Sequence, residues 1–314
     1  MNLYQVDLPN GKYSCFKYPA GETQVRFDHE EIQKILAADE IHVTARIANA
    51  EHLIELCHLT DALQSIAKYP DTEMVLILPY LPYGRADRRF VEGDCFGLKV
   101  FGNIINELSY DKVVTVDAHS LKANTGICAL VDVSPLSLIR QVLDSFPKKT
   151  VILLPDKGAA RYGLEKQFAV LHCDKVRDPQ TGALLHFNVP SKEQFEGYDN
   201  ILIVDDICDG GGTFVGIAKK LWELGIAKPA GVEKRPDERA LYLYVTHGIF
   251  SKGLTSLLEY FNHIYTTDSL YDSKKFSMAT SGFVTVLPVG GLVMQNLLPA
   301  EEMWKMAVEK ELHA

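Results

Sequence analysis

The residues best suited to chemistry in this 314-residue chain stand in the run Asp205-Asp206-Ile-Cys-Asp209-Gly210-Gly211-Gly212-Thr213, directly after the apolar stretch Ile201–Val204. Glycines let backbone N–H groups approach an anion closely, and the apolar-periodic run from Phe214 to Leu224 predicts a helix whose N-terminus adds partial positive charge. Asp205 and Asp206 would repel a phosphate placed among those amides, so they fit better as acceptors for the hydroxyls of a sugar beside it. The combination suits a sugar phosphate. It is not a Walker A loop, which needs Gly-Lys-Ser/Thr, nor a dinucleotide GxGxxG, which has no acid pair before it. Three glycines alone would read as an ordinary strand-to-helix turn; the acids and the flanking periodicities point past that.

Further polar clusters also follow apolar runs. Met74–Leu78 leads into Pro79-Tyr80-Leu-Pro82-Tyr83-Gly84-Arg85-Ala86-Asp87-Arg88-Arg89, where guanidinium forks could match phosphate oxygens. Lys112–Val116 leads into Asp117-Ala118-His119-Ser120, and Val151–Leu154 into Pro155-Asp156-Lys157-Gly158. A histidine two residues after an aspartate is by itself more often a hydrogen-bonded structural residue than a ligand. Tyr18-Pro-Ala20-Gly21-Glu22 reads as a bland turn, and Asp174-Lys175-Val-Arg177-Asp178-Pro-Gln-Thr-Gly182 as a mobile polar segment.

The elements that must position these groups alternate in type. Strands are expected at 3–8, 13–16, 23–27, 39–45, 74–78, 112–116, 151–154, 168–171, 201–204, 241–245, 264–267 and 284–288. Helices are expected at 49–68, with Asn49 as cap, and at 98–108, 136–146, 214–224 and 301–309. The fold class is therefore α/β, with two similar domains, each a mainly parallel sheet flanked by helices. The expected division is 1–140, joined by the C-terminal segment 291–314, and 141–290. Open sheets of this kind place ligands at the carboxyl ends of their strands, where the polar clusters lie.

Composition narrows the function. With 47% hydrophobic and 23% charged residues the chain is globular, and no apolar run approaches the roughly 20 residues a bilayer span needs. A formal net charge of −9 argues against nucleic acid or an anionic membrane as partner, so a phosphorylated substrate must be met by local positive groups. The N-terminus lacks the basic and apolar regions of a signal peptide, and the six dispersed cysteines form no CxxC. Reduced thiols in the cytoplasm are the expectation.

In order and spacing, over nearly the whole chain, these segments resemble the ribose-phosphate diphosphokinases, the synthetases of phosphoribosyl pyrophosphate (PRPP). The acid-glycine loop is similar to the ribose-5-phosphate loop that this family shares with the type I phosphoribosyltransferases. Pro79-Tyr80…Tyr83-Gly84-Arg85-Ala86-Asp87-Arg88 is similar to the family's Pro-Tyr…Tyr-Ala-Arg-Gln-Asp-Arg, Asp117-Ala118-His119 to its Asp-Leu-His, and Pro155-Asp156-Lys157-Gly158 to its Pro-Asp-x-Gly. Asp174-Lys175-Val-Arg177 resembles its flexible catalytic loop, and Thr246-His247-Gly248-Ile-Phe250 a further family segment. The resemblance implies a phosphoribosyltransferase-like fold and an ATP-dependent diphosphotransferase that makes PRPP and AMP from ATP and ribose 5-phosphate. It implies Lys175 and Arg177 as catalytic residues and Tyr18, Glu22, Arg85, Asp87, Arg88 and His119 as ATP-binding. Asp205, Asp206, Asp209, Gly210, Gly211, Gly212 and Thr213 would bind the acceptor, with Mg²⁺ on His119 and Asp156. A homo-oligomer is implied as well.

The chain departs from the family pattern at three positions. The family's Asp before Gly-Glu is Ala20, its Gln after Arg is Ala86, and the Thr of its Asp-Thr-Gly-Gly-Thr is Gly210. The last opens space beside the 5-phosphate, which allows a second reading: the same transfer to a larger 5-substituted ribose such as ADP-ribose, feeding NAD resynthesis. A third reading, a silent regulatory homologue, is opposed by the presence of His119, Asp156, Lys175 and Arg177.

Overall fold

A computed structural model describes residues 2–9, 11–67, 71–89, 91–119, 126–147, 149–155, 162–177, 184–231, 238–270 and 282–297. The expected helix at 301–309 and the residue Asp156 lie outside the described residues. The chain separates into two compact units, Met1–Val133 with Ser269–Tyr271 and Val289–Ala314, and Ser134–Asp268 with Asp272–Pro288.

The first unit holds strands β1 (Leu3–Leu8), β2 (Ser14–Lys17), β3 (Thr23–Arg26), β4 (Glu40–Ala45), β5 (Glu73–Leu78), β6 (Lys112–Val116) and β7 (Leu130–Val133). Five of them form one sheet in the order β1-β4-β5-β6-β7, and β2 pairs with β3 in a separate hairpin. All pairings within the five-stranded sheet are parallel. Its inner strands are buried along nearly their whole length, as a sheet covered on both faces requires. Helices α1 (His29–Leu36), α2 (Ala50–Ile66) and α3 (Gly97–Glu107) contribute to the cover. Asn49 caps α2 as expected, its side chain accepting from the His52 N–H at 2.9 Å.

Helix α1 and strand β7 are among the elements of this unit that periodicity does not anticipate. Helix α1 has only two turns, too few for its inward Ile32 and Ile35 to establish a repeat, but Asp28 caps it by accepting from the Glu31 N–H at 2.9 Å. Strand β7 is four residues long and carries Asp132, which interrupts its apolar character.

The second unit is built on a six-stranded sheet in the order β15-β14-β13-β12-β8-β9, again wholly parallel. Its strands are β8 (Thr150–Leu154), β9 (Val170–His172), β12 (Asn200–Cys208), β13 (Ala240–Gly248), β14 (His263–Thr267) and β15 (Val284–Leu287). Helices α4 (Leu136–Asp144), α5 (Gly212–Glu223) and α6 (Thr255–Leu258) belong to this unit, and α7 (Gly290–Leu297) to the first. From β8 the chain moves outward to β9, then returns on the other side of β8 as β12 and continues away to β15. The strand order therefore reverses between β8 and β12, the kind of switch point at which open parallel sheets bind ligands. The segment read as mobile is partly regular: β10 (Asp174–Arg177) pairs antiparallel with β11 (Leu184–Asn188). Among the described residues no helix is long and apolar enough to cross a membrane.

The edge strand β1 is tied to α1 by a buried hydrogen bond from the Tyr4 hydroxyl to Glu31 Oε2 at 2.7 Å, while Lys34 Nζ donates to Glu31 Oε1 at 2.8 Å. The lysine first, and then the tyrosine, hold the Glu31 carboxyl below its ordinary value. A carboxyl whose folded pKa is depressed stabilises the fold above its unfolded pKa, near 4.3, and loses that contribution as pH falls through the folded value. Glu31→Gln is accordingly expected to melt below wild type at neutral pH, with the gap closing as the buffer is taken below about pH 4. Thermal melts of both proteins across that range check it, and a gap independent of pH would exclude the charge as its source.

Candidate active site

In the first unit the candidates stand on loops leaving β5 and β6, adjacent parallel strands whose carboxyl ends lie side by side. Leu81 and Pro82 are buried beneath the β5 loop, whereas Tyr83, Arg85 and Arg88 are exposed. Asp87 stands 3.8 Å from the Arg88 guanidinium. Tyr83 adopts φ +61° and rests its ring 5.7 Å from that of Phe101. The Ala86 carbonyl accepts from the Leu98 N–H at 3.1 Å, and a Cβ added at Gly97 would stand 3.2 Å from the Ala86 Cβ. The small residue at 86 thus lets the arginine loop settle on the start of α3.

The β6 loop turns through Asp117, buried and at φ +50°. Strand β7 holds that turn: the Asp117 N–H donates to the Val133 carbonyl at 3.0 Å and the Ala118 N–H to Asp132 Oδ1 at 3.0 Å. His119 is thereby presented at the surface, close enough to the arginine loop that a Cβ on Gly84 would lie 3.6 Å from its own. Tyr18 and Glu22 are exposed on the β2–β3 turn, which is closed by hydrogen bonds of 2.8 Å from the Tyr18 N–H to the Glu22 carbonyl and from the Gly21 N–H to the Tyr18 carbonyl.

In the second unit β12 runs beyond its apolar core, so Asp205 and Asp206 lie within the strand rather than after it. The extension follows from pairing: Ile207 and Cys208 remain in register with His247 and Gly248 of β13. Asp206 is buried, while Asp205 and Asp209 are partly exposed. Helix α5 opens at Gly212 with no side-chain cap. The three glycines answer to different constraints. Gly211 has φ +76°, a conformation that disfavours side chains. Gly210 has no such angle, but a Cβ there would meet the stem of Lys252 at 3.2–3.5 Å. Gly212 has open space around it, and Thr213 is partly exposed on the first turn of α5.

The loop after β13 closes over this one. The Cys208 carbonyl accepts from both the Ile249 and Phe250 N–H groups, at 2.9 and 3.1 Å, and Ser251 Oγ donates to Asp209 Oδ1 at 2.6 Å. Ser251 and Lys252 were not singled out from the sequence. Their one signal there is position, directly after Thr246…Phe250. Burial pushes the Cys208 thiol up to about 12, with the charges of Asp205 and Asp209 adding to the effect, so this thiol stays protonated and is no nucleophile.

Lys175 and Arg177 belong to β10, opposite Phe187 and Leu184, and their side chains lie outside the described residues, as does Asp156. No group of three or more His, Cys, Asp or Glu able to hold a metal occurs among the described residues. His119, one exposed imidazole on a strand-end loop, fits a magnesium ion whose remaining positions go to substrate oxygens and water better than a cage of protein ligands.

No family profile matches the chain. It is similar to curated ribose-phosphate pyrophosphokinases. That of Bradyrhizobium diazoefficiens is 31% identical over 253 residues, 77% of this chain and 73% of the relative. That of Sulfurisphaera tokodaii is 27% identical over 72% of this chain and 77% of the relative, and that of Methanobrevibacter smithii 27% identical over 84% and 88%. The crystal structure of phosphoribosylpyrophosphate synthetase from Mycobacterium smegmatis superposes with a TM-score of 0.70, covering 94% of this chain and 97% of that one at 17% identity, a likeness of fold.

Gly248 tests the packing of the two loops in the second unit. A Cβ there would collide with the Phe250 ring and stand 2.7 Å from Thr266 Oγ1. Gly248→Ala is expected to cost about 1–3 kcal/mol through overpacking. Combining it with Phe250→Ala should cost less than the sum of the two, because the ring that clashes is gone. Denaturant unfolding of the three variants measures this; strict additivity would place the ring elsewhere.

Proposed function

The chain belongs to the ribose-phosphate pyrophosphokinase family, ATP-dependent diphosphotransferases, and from that premise we propose how its residues divide the work. The reaction is ATP + ribose 5-phosphate → AMP + PRPP. The anomeric hydroxyl of the sugar attacks the β-phosphorus of ATP, and the bond from that phosphorus to the AMP oxygen breaks. Catalysis of this kind is alignment together with neutralisation of developing negative charge.

The observation that carries the acceptor half of the proposal is the uncapped start of α5 at Gly212, just after Gly210 and Gly211, at the carboxyl end of the strand beside the sheet's switch point. Its first amides would receive the 5-phosphate, with Gly211 allowing the backbone turn and Thr213 adding a hydroxyl. Asp205 and Asp206 would accept from the ribose hydroxyls, and Asp209 would help shape the loop. Arg85 and Arg88 would hold phosphates of ATP, with Asp87 orienting the Arg88 fork. Tyr18 and Glu22 would contact the nucleotide. Ala20 and Ala86 leave that grip with fewer polar side chains than the family pattern has.

Magnesium, when bound, would neutralise charge on the phosphates; we assign His119 as a protein anchor for one ion and Asp156 as the residue serving a second metal site. Lys175 and Arg177 would stabilise charge as it develops on the transferring group. No residue is assigned as a general base. We further propose a cytoplasmic homo-oligomer.

Purified protein with ATP and Mg²⁺ is expected to release AMP when given ribose 5-phosphate, and AMP release is measured in parallel with ADP-ribose. Turnover confined to ADP-ribose would transfer the acceptor assignment to the larger sugar.

Lys175→Ala and Arg177→Ala are each expected to lower kcat by roughly 10²-fold or more while ATP binding changes little, because charges that act on the transition state contribute mainly to kcat. Steady-state kinetics with an equilibrium ATP-binding measurement separates the two effects. Turnover near wild type in either variant would remove that residue from the catalytic set.

A further inference from the structure

The segment 201–213 contributes only negative side-chain charge: it contains three aspartates and neither lysine nor arginine. Phosphate binding at the start of α5 would therefore rest on amide groups and the helix dipole, against nearby carboxylates. Folding brings Lys252 to this place. Lys252 lies on the loop after β13, and its stem passes over Gly210, where an ideal Cβ would be 3.2 Å from its Cδ and 3.3 Å from its Cε.

The placement is anchored on both sides. The two amides on the Cys208 carbonyl and the Ser251–Asp209 hydrogen bond fix the chain just before Lys252. The Gly253 N–H donates to the Phe250 carbonyl at 2.8 Å and, with Gly253 at φ +73°, closes the turn just after it. Lys252 itself is exposed, and no carboxylate among the described residues pairs with its ammonium. The stem thus fills the volume that a side chain at position 210 would take, and the charge lies one bond beyond Cε.

We propose that Lys252 is a specificity-determining residue of the acceptor site, its ammonium contacting the terminal phosphate of the phosphorylated sugar in place of a side chain at position 210. The proposal rests on the acceptor reading given above. A lysine suits the task as a compact charge on a flexible stem that can follow a phosphate. Gly210 is then more than an absence: it is the clearance that lets the lysine lie across the loop. Gly210 also leaves the backbone amides open to the same phosphate, so the two contacts add.

Two variants separate charge from packing. Lys252→Met keeps an unbranched stem against Gly210 and removes the ammonium, whereas Lys252→Arg keeps the charge. With ATP saturating, Lys252→Met is expected to raise the KM for ribose 5-phosphate by roughly 10-fold or more, the scale of a lost charge-assisted hydrogen bond, with kcat and the KM for ATP close to wild type. Lys252→Arg should recover most of the loss. The wild-type acceptor KM should rise with added salt more steeply than that of Lys252→Met, since one ionic contact is missing from the variant. An unchanged acceptor KM in Lys252→Met, or a fall in kcat alone, overturns the proposal while leaving the acceptor reading intact. Failure of the wild-type protein to use ribose 5-phosphate overturns the acceptor reading, and this proposal with it.

Discussion

Parallel pairing of β12 with β13 does not stop where their apolar cores stop. It continues through Ile207↔His247 and Cys208↔Gly248, after which the Cys208 carbonyl takes the N–H groups of Ile249 and Phe250. That extension determines most of what the second unit can do. It keeps Asp205 and Asp206 on an extended backbone, one partly exposed and one buried, because successive strand residues face opposite sides. It also brings the loop after β13 onto the glycine loop after β12. Removing those pairings would leave the glycines as a turn with no fixed neighbour.

The second constraint is electrostatic. An acidic chain that handles phosphorylated molecules must assemble positive potential locally. On the acceptor reading proposed above, the glycine loop would do so with backbone amides, its own carboxylates being left for sugar hydroxyls. The same surroundings raise the pKa of the Cys208 thiol: burial first, then two nearby aspartates. In the first unit the division is different. Arg85 and Arg88 are exposed on a loop whose base, Leu81 and Pro82, is buried, so apolar anchoring and exposed charge are supplied by neighbouring residues.

Three of the five non-glycine residues with positive φ among the described residues lie at these places, the others being Ser109 and Ala129. Tyr83, Asp117 and Phe250 hold positive φ without being glycine, and each lies in a loop at the carboxyl end of a parallel strand. Such conformations persist where surrounding contacts over-determine them. The contacts are identifiable: the Phe101 ring at Tyr83, the Val133 carbonyl and the Asp132 carboxylate around Asp117–Ala118, and the Cys208 carbonyl at Phe250. The loops are therefore held in shape by the sheets they leave and, at Tyr83, by helix α3.

Much of this was legible in the residues alone. The α/β class, the parallel strands and the helix after the glycines follow from local periodicity, because a strand buried on both faces and an amphipathic helix each leave a pattern a few residues long. The family was legible for a related reason: the segments that carry the resemblance are short runs of contiguous residues, such as Tyr83–Arg88 and Asp205–Thr213. Several short elements were not legible. Helix α1 and strand β7 carry too few repeats to be seen, and β7 matters because its Asp132 secures the turn that presents His119. The reversal of strand order between β8 and β12 was hidden as well, since order depends on which strands pair across distance in sequence. So was Lys252 above Gly210, a contact between residues 42 positions apart in the chain that exists because β12 and β13 remain paired to their ends. Local sequence determined which groups this protein has; long-range pairing decided which of them face one another.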